Sequence, residues 1–407
     1  MDLHPLVILA HVRHPAVTDG FLPAARRMGL PVVILTDHRH DHLRWFDEHP
    51  DHMPARIVEC DVFNPLAAID ALRSAGIRPR AVFTNSDHLQ SSAALVAEGF
   101  GLPGKDWRVC YAAKNKAATR ERLFELGLPT PWFHSLSPGA GVPLDTPWPV
   151  VAKPREGVAS MDVALCADAS ALERYLKAFW QRHPGRSVLL EAFLDGPLFT
   201  LETLGDGEHV EVIGGFDVTL SEPPHFIELE ARWNGPAVTQ GRDEAFAQVK
   251  AFGATFGICH SEFILTAQGP VLVEINYRSI GDGREFMLDR MHGGHWFETL
   301  LRPHLGESLA LPERRRHHAL VRYVVATREG WLAKAGRDGS ATNERWHADY
   351  RALRREGDEI RLSHSNKDYL GILNVVADDD AALRCALATV QEPLRWDIVD
   401  HAPGVAA

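Results

Sequence analysis

Hydrophobic residues in the first hundred positions fall in short continuous runs separated by amphipathic stretches. "LVILAHV" (6–12), "PVVILTD" (31–37) and "RAVFTNS" (80–86) are aliphatic and β-branched throughout their cores. Between and after them, "VTDGFLPAARRMGL", "PLAAIDALRSAG" and "HLQSSAALVAEGFGL" repeat apolar residues at helical spacing and run into glycine near their ends. Strands apolar on both faces that alternate with helices predict βαβ units and an open parallel sheet. No GxGxxG follows the first strand, so a dinucleotide site is not expected there.

From about residue 110 the pattern changes. "KNKAATRERLFELGLPTP" reads as a helix closed by Gly127, "WPVVAKPREGVASMDVALCAD" as strand, loop, strand, and 168–183 as a helix before the strand "SVLLEAFL". Residues 197–280 read mainly as antiparallel strands, and 319–395 hold two further strands and a terminal helix. The fold class is therefore α/β. It divides into an N-terminal open parallel domain (1–108), a small lobe with a linker helix (109–195), a larger lobe (196–312) and a small C-terminal α+β segment (313–407).

One hairpin carries an unusual face. In "HSEFILTAQGPVLVEINYR", pairing Thr266 with Pro270 leaves Ala267, Gln268 and Gly269 as a three-residue loop. That register puts Glu262 opposite Glu274 and His260 opposite Asn276. Arg278 follows on the same face by the two-residue period. Carboxylates directly across a ladder repel by roughly 0.2–1 kcal/mol, a cost that a cation reverses. Two carboxylates and an amide oxygen are a hard donor set suited to Mg²⁺ beside a phosphate, with Mn²⁺ as a substitute. Taken alone, the same residues fit equally the wet face of a sheet.

Composition narrows the classes. The chain has 407 residues, 45% hydrophobic and 24% charged, and a formal charge of −11. Without a basic stripe a nucleic-acid partner is not expected, and no run is long enough to span a bilayer. The five cysteines are scattered, without a CxxC pair, so they are read as reduced, mostly buried and not metal-binding, in a cytoplasmic protein. The histidine-rich "DHRHDHLRWFDEHPDH" (37–52) matches no zinc spacing and reads as a solvated loop.

Upstream of the hairpin, Lys153 ends "PVVAK" before a loop containing Gly157 and Ser160, whose backbone N–H groups can cradle phosphate. Lys116 is a second cationic candidate. Glu191, Ala192, Phe193 and Leu194 form a strand edge able to hold a flat base. "NKAATRERLFELGLPTP", "WPVVAKPREGVASMDV", "LLEAFLDGPLFTLET" and "EFILTAQGPVLVEINYRSIGDG" come in an order that resembles the ATP-grasp superfamily over roughly residues 1–310. The resemblance implies an ATP-grasp fold behind a pre-ATP-grasp domain. It assigns Lys116 and Lys153 to ATP phosphates, 157–161 to the loop closing on them, Glu191 to Leu194 to adenine, and Glu262, Glu274 and Asn276 to Mg²⁺. Arg278 matches the arginine that stabilises the transferring phosphate in the amino-acid ligase branch.

Three positions depart from the pattern: Asn115 replaces an Asp, Met161 a Gly, and Leu198 a ribose-binding Glu, for which Glu202 is the substitute candidate. The "HxE" of His260 and Glu262 with "EINYR" and "GDG" resembles the dipeptide and amino-acid ligases. "FTNSDHLQSSAALVAEGFGLPGK" resembles siderophore-pathway ligases. Gly281 to Arg284, with Arg232 and Asn234, are candidates for facing the acceptor. The implied activity is ATP-dependent joining of a small-molecule carboxylate to an amine through an acyl phosphate, releasing ADP and phosphate, in a chain that could act as a homodimer. The alternatives are a non-catalytic ATP-binding regulatory or scaffold protein and a sugar- or nucleotide-binding α/β protein.

Overall fold

A computed structural model describes residues 4–155, 157 and 160–401. Strands β1 (Leu6–Leu9), β2 (Val32–Thr36), β3 (Arg56–Glu59) and β4 (Ala81–Phe83) form a parallel sheet in the order β3-β2-β1-β4. Every residue of β1, β2 and β4 is buried, as continuous apolar runs require. The edge strand β3 has the mixed sequence RIVE and is partly exposed, which is why its run gave no strand signal. The histidine-rich stretch is not a loop: Arg39–Glu48 is a helix anchored by the buried His42 and Phe46. Its charge density hid the two buried positions, four residues apart.

A second sheet, antiparallel, contains β5 (Phe133–Leu136), β6 (Val150–Pro154), β7 (Ala164–Cys166) and β8 (Val188–Ala192) in the order β5-β8-β6-β7. The helix Ala169–Arg182, capped where Asp168 accepts from Ala171 N–H, buries Leu172, Leu176 and Phe179 against it.

The remaining strands are β9 (Leu198–Asp206), β10 (Val210–Gly214), β11 (Phe216–Leu220), β12 (Glu228–Trp233), β13 (Phe256–Thr266), β14 (Gly269–Asn276) and β15 (His318–Val325), then β16 (Gly330–Lys334), β17 (Gly339–Thr342), β18 (Trp346–Ala352), β19 (Glu359–Ile360), β20 (Tyr369–Ala377) and β21 (Asp397–Val399). Ten of them make one sheet along the path β14-β13-β9-β11-β12-β15-β20-β18-β17, with β10 on β9, while β19-β16-β21 stand apart. The C-terminal strands thus continue the large sheet through the β12–β15 pairing. Between β12 and β13 lies the helix Pro236–Phe252, within a stretch whose sequence reads mainly as strands. Small residues, Ala237, Gly241 and Ala245, make up much of the first half of its buried face, which weakens the apolar period there, while Val249 and Phe252 complete it near the end. Pro236 at its start and Gly253, left-handed at φ 96°, at its end were the available signals. No helix among the described residues is long and apolar enough to cross a membrane. The five cysteines are all free, three of them buried.

The β13–β14 hairpin departs from the expected register at its turn and regains it beyond. Thr266 pairs with Gly269 and Leu265 with Pro270, so the loop is the two residues Ala267 and Gln268. A bulge then leaves Val273 unpaired, between Phe263 opposite Leu272 and Glu262 opposite Glu274, and His260 meets Asn276. The carbonyls at this irregularity are taken by Arg120, from the helix Lys116–Glu125: Nη1 donates to Leu272 O (2.5 Å) and Nη2 to Val273 O (2.8 Å). The same guanidinium donates from Nε (2.7 Å) and Nη2 (3.3 Å) to the two oxygens of Glu191 on β8. Arg120 is 1% exposed. Replacing it leaves Glu191 with Lys153 alone and takes a donor from two buried carbonyls, so Arg120→Met is expected to lower unfolding free energy by about 3–5 kcal/mol. Arg120→Lys restores little, because a lysine cannot reproduce the planar fork. Urea unfolding measures both; a loss below about 1 kcal/mol for the Met variant would refute the assignment.

Candidate active site

Where the small sheet faces the β13–β14 edge of the large one, a cleft of about 970 Å³ opens. Lys116, Lys153, Gly157, Ser160, Glu191, Ala192, Phe193, Leu194, Glu262 and Glu274 all line it, so most of the sequence candidates meet in one place. Val158 and Ala159, within the candidate loop 157–161, lie outside the described residues. Val151, Leu198, Ile264 and Val273 supply apolar wall. Val273 and Glu274 both face the cleft although adjacent, a consequence of the bulge.

Each charged group in the cleft has a partner that holds it. Lys116 is the first residue of its helix, whose cap is Asn115, accepting from Ala117 N–H and Ala118 N–H. Its ammonium donates to Glu274 Oε1 at 2.6 Å and to Gly157 O at 3.4 Å. Burial pulls the Lys116 pKa down, but Glu274 and Glu262 outweigh it and raise the pKa overall. Lys153 donates to Glu191 Oε2 at 2.7 Å, and burial carries its pKa down despite that carboxylate. Burial works to raise Glu191, yet Arg120 and Lys153 hold it at about 2. The Glu191 side chain is thereby committed to two cations, and contact with a base falls to the backbone and apolar groups of the segment. Within it, Ala192 N–H and Phe193 N–H already donate to Trp132 O and Pro149 O.

On the hairpin, His260 bridges two carboxylates, with Nδ1 2.7 Å from Glu202 Oε1 and Nε2 3.5 Å from Glu262 Oε1. Burial opposes its protonation, but Glu202 and Glu262 raise its pKa to about 9, so it carries a proton at neutral pH. Asn276 Nδ2 donates to Glu262 Oε1 at 3.3 Å, and its Oδ1 accepts from Arg278 Nη2 at 3.3 Å. The expected metal donors therefore stand together, ringed by Lys116, His260 and Arg278, as adjoining carboxylates require. Glu262 and Glu274 side chains keep 24% and 25% of their surface open, and oxygen donors of this kind fit a hard divalent cation.

Glu202 requires a correction. It is 0% exposed, bonds His260 and Thr200, and does not line the cleft, so it is not placed to meet a ribose. The two-residue period put it on the same strand as Leu198 but could not show that β13 covers it. Glu228, which does reach the cleft, lies on β12, a strand the sequence reading passed over. Arg232 and Asn234 do not face the candidate acceptor space either: Arg232 pairs with Asp380 at 2.6 Å, and Asn234 Oδ1 accepts from Gly215 N–H.

Arg278 lines an adjoining cavity with Ser279, Gly281 and Asp282 on one side and His11, His14, Asn85, Ser86 and Asp87 on the other. The latter follow β1 and β4, the pair where the parallel sheet changes direction, which is where open α/β sheets leave a crevice. Asp87 pairs with Lys114; burial would raise its pKa, but Arg278 and Lys114 lower it overall. The crevice position could have been read from strand order; Arg120, embedded in "TRERL", gave no such signal. His11 and the adjacent pair Asp37 and His38 also gather their ligand atoms within 4.8 Å, but His11 Nδ1 already bonds both Asp37 oxygens at 2.8 and 2.9 Å.

Comparison with known proteins finds the following similarities. The family described as "ATP-grasp domain" matches residues 113–282. An uncharacterized protein, y4rH, of Sinorhizobium fredii is 27% identical over 330 residues, 78% of this chain and 68% of its own. Dapdiamide A synthase of Enterobacter agglomerans is 26% identical over 42% of each chain, so the match spans under half of that protein. The crystal structure of an L-amino acid ligase from Bacillus licheniformis superposes with TM-score 0.75 at 21% identity, covering 97% of this chain and 99% of that one.

The depressed Glu191 pKa has a stability consequence with a definite sign. The folded-state value, about 2, lies below the ordinary 4.5, so the ion pairs contribute fully above pH 4.5 and the contribution is lost as pH falls toward 2. Glu191→Gln is expected to cost on the order of 3 kcal/mol at pH 7. In denaturant melts the gap to wild type should narrow across that window; a gap independent of pH would contradict it.

Proposed function

We propose, from the premise that residues 113–282 of this chain form an ATP-grasp domain, that the protein is an ATP-dependent ligase joining a small-molecule carboxylate to an amine through an acyl phosphate. The observation that carries this reading is the pairing of Glu262 with Glu274 beside Asn276, open to the cleft of Lys116 and Lys153, with Arg278 in the next cavity.

In this reading Lys116 and Lys153 exchange their carboxylate partners for phosphate oxygens. The segment Glu191 to Leu194 offers the flat wall for adenine. Glu262, Glu274 and Asn276 are the residues that would hold Mg²⁺, which when bound neutralises phosphate charge. His260, kept protonated between Glu202 and Glu262, fixes the direction of the Glu262 carboxylate. Arg278 sits where the nucleotide cleft meets the crevice of the parallel sheet, positioned to meet the carboxylate and the phosphoryl group it receives. Transfer of the γ-phosphoryl group to a carboxylate oxygen releases ADP. The amine nitrogen then attacks the acyl carbon, the phosphate leaves with its bonding pair, and the nitrogen gives up a proton to solvent. Positioning and charge neutralisation are what such a transfer requires of a protein. Dapdiamide A synthase and the L-amino acid ligase, by their names, are relatives of the same chemical type.

The test is ADP release over a panel of carboxylic acids, with and without amines. Turnover that needs both substrates is expected. Arg278→Ala should lower kcat by about 100-fold or more while Mg-ATP affinity changes only a few-fold. Mg-ATP binding without turnover would favour a scaffold role, and full activity in the Arg278→Ala variant would remove the assigned step.

A further inference from the structure

Across the turn Gly281–Gly283 from the Arg278 cavity, a second cavity of about 890 Å³ lies between the helix Arg284–Met291 and the C-terminal strands β18 and β20. Arg290 from the helix and Arg351 from β18 both line it. Among the described residues neither guanidinium makes a hydrogen bond or ion pair, unlike Arg278, Arg284 and Arg120 nearby. Two carboxylates line the same cavity without an ion pair to either guanidinium: Asp349, held by Asn374 Nδ2 at 3.1 Å and 3.4 Å from His347 Nε2, and Asp19, 3.9 Å from His52 Nδ1. Arg351, half-buried, and Arg290, exposed, thus carry positive charge without a bonded partner in a concave, partly polar space.

The two cavities belong to one electrostatic site. A Cβ built on Gly281 would stand 3.8 Å from Arg278 Nη1, and one on Gly283 would stand 4.0 Å from Arg351 Nη2. The guanidiniums therefore rest against the same turn, two residues apart. His14, in the Arg278 cavity, has its pKa lowered first by burial and then by both Arg278 and Arg351. Asp282, at the middle of the turn and half exposed, lines the Arg278 side.

We propose that this second cavity binds the carboxylate of the amine substrate on Arg351 and Arg290, while its ammonium lies at Asp282, facing Arg278. The acceptor is then an amino acid. A simple amine would leave both guanidiniums without a directly bonded carboxylate, and a diacid would meet Asp282 with like charge. The assignment rests on the ligase reading and adds the substrate class and the residues that select it. It also gives a role to strands beyond the matched family region, since β18 and β20 follow residue 282.

The experiment first uses hydroxylamine, a small acceptor without a carboxylate, to trap the acyl phosphate as a hydroxamate over a panel of acids. If no acid gives hydroxamate, the ligase reading fails. With an acid that does, the proteinogenic amino acids are compared with their carboxamides as acceptors. The expected result is a preference for the free carboxylate of about tenfold or more in kcat/KM. That ratio should fall toward 1 in Arg351→Ala and Arg290→Ala and recover in part in Arg351→Lys, with melting temperature and Mg-ATP affinity recorded for each variant. Hydroxamate formation with no amino acid accepted, no wild-type preference, or a ratio unchanged in both alanine variants would overturn the subsite.

Discussion

A buried guanidinium has to satisfy its donors, and Arg120 does so with groups from three parts of the chain. Its partners are Glu191 on β8 and the carbonyls of Leu272 and Val273 on β14, while the residue itself belongs to the helix that begins at Lys116. Those partners are also the supports of the cleft. Glu191 holds Lys153, and the irregularity at Val273 is what brings Glu274 across from Glu262. Continued regularly from the two-residue turn, the ladder would put Val273 opposite Glu262 and Ile275 opposite His260. The face of candidate metal donors would then be apolar on one strand.

This explains why the hairpin could be read correctly from a turn that was wrong. A three-residue loop and a two-residue loop followed by a bulge give the same pairing beyond residue 262, so the alignment of His260, Glu262, Glu274 and Asn276 was legible. The parallel sheet was legible for a simpler reason: strands buried on both faces leave no polar positions to confuse the pattern. The edge strand β3, the helix Pro236–Phe252 and the helix Arg39–Glu48 were not, because small residues or dense charge conceal their buried sides. The commitment of Glu202 to His260 depends on which strand pairs beside β9. That is set by tertiary pairing, which no local pattern encodes.

The cleft's charges are balanced before any ligand arrives. Lys116 lies on Glu274, Lys153 on Glu191, and His260 between Glu202 and Glu262, so each cation is already held in place. Binding a polyanion there exchanges partners and requires little movement of side chains. Pre-organisation of this kind lowers the entropic cost of fixing long lysine side chains at the moment of binding.

The continuity of the ten-stranded sheet has a consequence for how the chain can be divided. Strand β12 is interior only because β15 covers its open side, and its Ala231 and Trp233 are buried. A chain stopped near residue 312 would keep the nucleotide cleft yet present that flank as a bare row of peptide N–H and C=O groups. Such a row is a template for a neighbouring molecule. The segment from β15 onward thus covers that flank as well as adding strands, so a cut at residue 312 divides one continuous sheet.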